Sequence, residues 1–511
     1  MIADIFHTTE DNAMKTTKLL SLILLICFIL TSTGCSFLET LIPRAPEQIV
    51  TPPVTETPPS GGGNDDGNDG GNDGGNGGGD GNTISSINVI MINDNHGMLN
   101  EEDGGIDKIA AGIIHYETLG EVVKIANGDM FQGTYVSSTL RGLPMLDVLN
   151  ELDFDAFVVG NHEFDWGLDE MKKYKDGDPA NGEAEFPFLG ANIYDKRTGE
   201  MVEWLEPYTV VEFGDIKIGI IGIIGQVESS ILATHVADYD FVDPENIVKD
   251  LASELRVDKE CDVVLVAAHG DDNFTNYDLA EFSGAARIDG VFTGHSHTPT
   301  DQEITRADGT SICILQNGGY GDSFATLKLT FDKEGNLTDT DGKLVDPGRY
   351  STDGTLSSVF AKYEEFMKIG DTVLLTIDEG LSKRDVGIEV AHSMYTKYGT
   401  DYAVINTGGV RTSVDAGEVT YAEIFQVLPF ENEVYIVTLS GEMLKEYLSG
   451  AAVYYWGIGT DNLHDGEYYT LAIVDYVYVG YTFDAYRNDT CVDTNDLIRD
   501  VFIEYILSLV G

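Results

Sequence analysis

Basic residues are scarce in this sequence: 30 lysines and arginines stand against 87 aspartates and glutamates, a formal charge of -57. That deficit excludes a nucleic-acid polymer as the principal partner, because such binders need a basic footprint to neutralise phosphates. Cysteine is sparse as well, five in 511 residues with no Cys-x-x-Cys pair, which argues against a disulfide scaffold or a thiolate zinc site. Beyond Cys27 and Cys35 only Cys261, Cys313 and Cys491 remain; Cys261 and Cys313 adjoin or sit in apolar runs and read as buried free thiols. The acid excess is not a tail, since residues 42–83 hold seven acids and Arg44. Most of the negative charge therefore belongs to a solubilising folded surface. Such a surface repels an anionic substrate at long range, so phosphate chemistry fits only if cations in a cleft reverse the local sign.

What is present is enough apolar material, 42% hydrophobic and 10% aromatic, for substantial cores. The length predicts two or three folded units.

Met14-Lys15-Thr16-Thr17-Lys18 followed by the apolar run 19–30 reads as a signal peptide, with Met14 as the candidate start. The run is short of the ~20 residues of a membrane span. It leads to Gly34-Cys35, and the small residues before Cys35 resemble the bacterial lipobox, with Ser32 where an aliphatic residue is usual. The resemblance implies acylation of Cys35 and an extracytoplasmic, lipid-anchored chain, with plain secretion as the alternative; more than one acyl chain gives stable anchoring. Residues 36–83 then run from Pro/Thr-rich to Gly/Asn/Asp-rich sequence, a tether that cannot bury a core.

From residue 84 onward, apolar β-rich runs recur at 87–92, 122–126, 156–159, 216–224, 262–268 and 290–293. Several are near-continuous, as expected of strands buried on both faces. Amphipathic segments between them, at 106–119 and 145–152, suit crossover helices, giving an α/β region with a layered sheet core. Polar residues cluster where these runs end: Asp94-Asn95-His96-Gly97, Asn127-Gly128-Asp129, Gly160-Asn161-His162-Glu163-Phe164-Asp165, His269-Gly270 and Gly294-His295-Ser296-His297. In open α/β sheets, ligands bind at the carboxyl ends of strands. A single Asp or His after a strand is usually a turn residue or cap, and His115, His235, His392 and His464 take that reading. Five coincident cases do not.

In this order, Asp94-x-His96, Gly128-Asp129, Gly160-Asn161-His162-Glu163, His269 and Gly294-His295-x-His297 resemble the calcineurin-type metallophosphatases. Residues 161–165, Asn406-Thr407-Gly408-Gly409-Val410-Arg411 and Leu428-Pro429-Phe430-Glu431-Asn432 resemble, more narrowly, the 5'-nucleotidase family, which includes 2',3'-cyclic phosphodiesterases and UDP-sugar hydrolases. The resemblance covers roughly residues 84–500. It implies an α/β/β/α sandwich over 84–350 and a second α/β, nucleotide-binding domain over 371–511; between them the amphipathic pattern of Leu356, Val359, Phe360, Tyr363 and Phe366 predicts a connecting helix over 351–370.

It also implies two divalent ions, from among Mn, Zn, Mg, Ca, Co and Fe, which suit this donor set. Asp94, His96, Asp129 and His297 would hold one ion and Asp129, Asn161, His269 and His295 the other, with Asp129 bridging. Ions about 3.5–4 Å apart suit in-line phosphoryl displacement by an activated water. By the same resemblance His162 is the catalytic histidine, stabilising the phosphoryl charge or protonating the leaving alkoxide. Asp165 would orient it; capping the following helix is the alternative.

In the C-terminal half, Asn406 and Arg411 match nucleotide-contacting positions, Arg411 as a phosphate fork. Phe430 and Asn432 match a base-binding loop, although without that context Phe430 would read as core. Two departures stand out. Val386-Gly387-Ile388 replaces the usual phosphate-binding arginine before Glu389, with Arg384 displaced, and the turn carrying a second stacking aromatic is shortened, leaving Tyr481 as its candidate. The favoured expectation is a nucleotide phosphoesterase acting on a small-molecule nucleotide. The alternatives are a hydrolase of UDP-sugars or other organic phosphates and, with a complete ligand set against it, a non-catalytic surface ligand-binding lipoprotein.

Overall fold

The computed structural model describes residues 84–99, 105–352, 354–450, 452–480 and 491–510. The leader, Cys35, the tether and Tyr481 lie outside them.

Two six-stranded sheets form the first half. One runs in the order Leu337–Val345, Phe324–Phe331, Ser86–Ile92, Glu121–Asn127, Ala156–Val158, Phe188–Leu189. The other runs Thr300–Thr305, Ser311–Gln316, Gly290–Phe292, Val263–His269, Ile216–Ile224, Tyr208–Phe213. Ser86–Ile92, Glu121–Asn127 and Ala156–Val158 are parallel neighbours, as are Ile216–Ile224, Val263–His269 and Gly290–Phe292. Parallel pairs need crossovers. The helices Ile106–Glu117, Leu143–Glu151 and Glu245–Val257 supply three of them.

Alternation along each strand sorts the core into layers. Ile87, Val89 and Met91 point to the space between the sheets, where they meet Ile218, Ile220, Val263 and Leu265. Ile90 and Ile92 point the other way, onto Ile106, Ile109, Met145 and Leu149 of the covering helices. On the far side Ile221, Ile223, Val264 and Val266 pack against Val248, Ala252 and Leu255. The central strands are thus covered on both faces, and the architecture is the layered α/β/β/α sandwich that the resemblance implies. Cys261 and Cys313 are buried and free.

The helix Ser357–Gly370 follows, starting later than the amphipathic pattern suggests because Gly354 turns the chain at φ 84° before it. Beyond it lies a five-stranded sheet ordered Val453–Gly457, Tyr402–Asn406, Tyr468–Val474, Glu433–Ser440, Val492–Leu497. The helix Lys383–Tyr398 packs on it so closely that a Cβ at Gly387 would overlap the Tyr454 ring. No helix among the described residues is long and apolar enough to cross a membrane.

Candidate metal centre and substrate cavity

The carboxyl ends of five parallel strands meet at one place. Ser86–Ile92 delivers Asp94 and His96, Glu121–Asn127 delivers Asp129, and Ala156–Val158 delivers Asn161 and His162. From the second sheet, Val263–His269 ends on His269, and Gly290–Phe292 leads to His295 and His297. The ligand atoms of Asp94, His96 and His297 lie within 4.8 Å of one another, and so do those of Asp129, His269 and His295. Asn161 joins the second group, its Oδ1 2.8 Å from His295 Nδ1 and 3.2 Å from His269 Nε2.

The backbone here is strained. Asp94, His96, Asp129, His295 and His297 all have φ between 51° and 77°, a left-handed conformation costing a non-glycine residue about 1–3 kcal/mol each. Hydrogen bonds between the loops hold it: Asp94 N–H donates to Gly128 O (3.0 Å), His96 N–H to Asp129 O (3.0 Å) and Gly97 N–H to Met130 O (2.8 Å). Gly128, at φ 81°, leaves no room for a Cβ against the His269 ring.

Carbonyl partners orient two of the imidazoles. Gln132 O lies 2.9 Å from His96 Nδ1 and Asn127 O 2.8 Å from His269 Nδ1, so each ring donates there and turns Nε2 into the centre. His96 Nε2 faces His297 Nε2 at 3.1 Å. Among the described residues Asn161 Nδ2 is buried without a hydrogen-bond partner, and Asp94 Oδ1 faces His297 Nε2 at 3.2 Å. Buried carboxylate oxygens and imidazole nitrogens converging within 4.8 Å are what a hard or borderline cation satisfies, so these residues fit divalent ions. Burial, then the nearby His162 and Arg411 charges, holds His96 well below its ordinary pKa, and therefore in the neutral form a ligand requires.

His162 stands beside this centre. Asp165 Oδ2 lies 2.8 Å from its Nδ1, and its Nε2 points towards Asp129 Oδ2 at 3.9 Å. Burial acts to lower the His162 pKa, but the Asp165 and Asp129 carboxylates outweigh it and the net shift is upward. The helix after Asp165, Leu168–Lys172, has Gly167 at its N-cap with no side-chain cap, so Asp165 contacts the imidazole and does not cap that helix.

Several contributors escaped the sequence reading. Glu163 is fully buried and accepts from Asp129 N–H and Gly160 N–H (both 2.8 Å) and Met130 N–H (3.0 Å), tying two ligand loops together. Its carboxyl is pushed up to about 7 by burial and then by Asp129. Tyr320 stacks on His96 at 4.9 Å. His235, read as a turn residue, instead lines the cavity below. The only forward signal was that Glu163 lies inside the Asn161–Asp165 stretch; His235 and Tyr320 carry none.

A cavity of about 330 Å³ opens over the centre. Asp129, Asn161, His162 and His295 form one wall, and Asn406, Arg411, Phe430 and Asn432 another. The second wall is built locally. Thr420 and Glu423 close a capping box on the helix Tyr421–Val427, and the chain leaves that helix through Pro429 and Phe430. Arg499 supports the exit by donating to Leu428 O (2.8 Å), and Arg411 N–H donates to Val427 O (2.9 Å). Phe430 is half-buried and stacks on His162, which rules out a core role. Asn406 Oδ1 has no partner among the described residues. Tyr476 also lines the cavity, in the region where Tyr481 was expected to serve.

Residues 87–299 match the calcineurin-like phosphoesterases, and residues 381–499 match the 5'-nucleotidase C-terminal domain. The chain joins a calcineurin-like phosphoesterase domain to a 5'-nucleotidase C-terminal domain. This pairing makes it a metal-dependent phosphoester hydrolase. It is similar to a 5'-nucleotidase of Vibrio parahaemolyticus, at 26% identity over 72% of this chain and 75% of the relative. A cell wall protein of Listeria monocytogenes is 25% identical over 82% of this chain and 67% of its own length. The crystal structure of a 5'-nucleotidase precursor from Thermus thermophilus shares the fold, with a TM-score of 0.72, 22% identity, and coverage of 83% of this chain and 96% of that one.

Proposed function

We propose that this metallophosphatase is a secreted, lipid-anchored nucleotidase that releases phosphate from nucleoside 5'-phosphates and opens 2',3'-cyclic nucleotides. The observation that carries the reading is that Phe430, Asn432, Asn406 and Arg411 share one cavity with His162 and the ligand cluster. Two divalent ions, with Asp94, His96 and His297 on one, Asn161, His269 and His295 on the other and Asp129 between, would neutralise the phosphoryl oxygens and acidify the attacking water.

The remaining work falls to side chains. Arg411 faces the phosphoryl group from the opposite wall with a planar fork of donors. His162, kept charged by Asp165 and Asp129, gives a proton to the departing oxygen. Phe430 offers a face to the base, and Asn432 and the unpartnered Asn406 Oδ1 offer hydrogen bonds to base and ribose. The anchor rests on Cys35, and an extracytoplasmic location is supported by the likeness to a cell wall protein.

A substrate panel with added divalent ions tests this: AMP, UMP, 2',3'-cyclic AMP, UDP-glucose and p-nitrophenyl phosphate. Higher kcat/KM for AMP, UMP or 2',3'-cyclic AMP than for p-nitrophenyl phosphate supports it. Preference for UDP-glucose, or indifference to the base, overturns it in favour of another organic phosphate.

A further inference from the structure

Tyr320 has φ 63°, left-handed backbone that is an outlier for a bulky residue. At 36% exposure it is no core residue, so interior packing does not account for the strain. The loop around it is pinned. Tyr320 N–H donates to Asp94 O (2.7 Å). Gly319 lies so close to His297 that a Cβ there would stand 2.7 Å from its Nδ1, and Gly321, at φ 80°, backs onto Gly105.

The pinned loop lays the Tyr320 side chain over the metal centre. Its ring stacks on His96 at 4.9 Å with planes 28° apart, and meets His297 edge-on at 5.1 Å and 82°. Both imidazoles belong to the cluster with Asp94. Among the described residues the ring makes no such contact with His269 or His295, the imidazoles of the other cluster. Carbonyl oxygens orient His96 and His269 through Nδ1. His297 is engaged through Nε2 alone among the described residues, facing His96 Nε2 at 3.1 Å and Asp94 Oδ1 at 3.2 Å. A ring held at one atom can pivot about it. The Tyr320 ring and the Gly319 backbone close the space into which His297 would turn.

The other end of Tyr320 reaches the C-terminal half of the chain. Its Oη accepts from Arg411 Nη2 at 3.3 Å, between residues 91 positions apart. That bond takes one of the five guanidinium N–H donors and sets the direction of the rest. One side chain therefore touches two ligands of one ion site and the arginine on the facing wall of the cavity.

We propose that Tyr320 is a positioning residue for the phosphoester reaction: its ring holds the His96 and His297 imidazoles in place for their ion, and its hydroxyl aims Arg411 at the phosphoryl group. The ring half rests on the ligand cluster alone. The hydroxyl half rests on the reading of Arg411 as the phosphate fork. Ion affinity and phosphate affinity are then served by different atoms of the same residue, which makes the two halves separable.

The test uses the full chain, stripped of metal and titrated calorimetrically with Mn, then loaded and assayed on p-nitrophenyl phosphate with inorganic phosphate as inhibitor. Tyr320→Phe keeps the ring and loses the hydroxyl. It should bind two Mn as the wild type does, while KM and the phosphate inhibition constant rise about three- to tenfold and kcat stays within twofold. Tyr320→Leu and Tyr320→Gly lose the ring, the second without backbone strain. Each should weaken one Mn site at least tenfold and leave the other within threefold. Metal-free melting temperatures separate a loosened site from a loosened fold. Mn sites that weaken together, or not at all, overturn the ring half, and an unchanged phosphate constant in Tyr320→Phe overturns the hydroxyl half. Arg411→Gln keeps the readings apart: it should raise the phosphate constant, and adding Tyr320→Phe to it should cost nothing more. No effect of Arg411→Gln ends the fork reading itself, whereas additive losses in the double variant leave the fork standing and overturn only the part given to Tyr320.

Discussion

The ring of Phe430 lies stacked on the imidazole of His162, with centroids 5.6 Å apart and planes inclined by 22°. A residue expected to hold the base thus also touches the group expected to move a proton. The Arg411 guanidinium carbon sits 5.8 Å from the same ring, so one aromatic side chain links base, acid and phosphate positions.

Phe430→Ala should consequently lower kcat/KM for AMP by about 10- to 100-fold, since stacking on a base is worth about 1–3 kcal/mol. For p-nitrophenyl phosphate the fall should be about threefold, reflecting only the loosened imidazole. Equal losses on both substrates would show that Phe430 acts on His162 alone.

His162→Ala should leave metal content unchanged, because its Nε2 is 3.9 Å from Asp129 and lies outside both ligand clusters. The rate should drop by about 10²–10⁴-fold on every substrate. Elemental analysis beside steady-state kinetics checks both halves, and loss of metal would make His162 a ligand.

Chelation should abolish activity, and Mn or Co should restore it. The same titration should raise the melting temperature, because a cation binding only the folded chain stabilises it by mass action. Full activity in metal-free protein would end the metal reading.

Glu163→Gln should destabilise the fold by about 1–3 kcal/mol, read by thermal denaturation with and without metal. Glutamine keeps one acceptor but turns an NH₂ towards the N–H groups that Glu163 now receives from Asp129, Met130 and Gly160. An unchanged melting temperature would mean that the loops are held by their backbone bonds alone.

Cys35→Ser should free the chain from membranes or leave its precursor unprocessed, as judged by fractionation and mobility. Unchanged retention would assign the anchor to another element.

The ligand loops were legible because each follows an apolar run that can only be a buried strand, and the parallel order of Ser86–Ile92, Glu121–Asn127 and Ala156–Val158 brings their ends together. Recognition residues were legible by resemblance, and the cavity unites Asn406, Arg411, Phe430 and Asn432. Tyr320 was not. It reaches His96 only because its N–H donates to Asp94 O (2.7 Å), a contact between residues 226 positions apart that no local pattern encodes. His235 was set aside for want of a neighbouring signal and enters the cavity through tertiary packing.

Five of the seven side chains proposed to grip the ions sit on left-handed backbone, latched by bonds from one loop to the next. The ligands come from loops of both sheets, and bonds such as His295 N–H to Asp94 Oδ2 (2.9 Å) and His269 Nδ1 to Asn127 O (2.8 Å) cross from one sheet to the other. A substitution far from the centre that slides one sheet over the other would therefore detune the ligand spacing without altering any ligand.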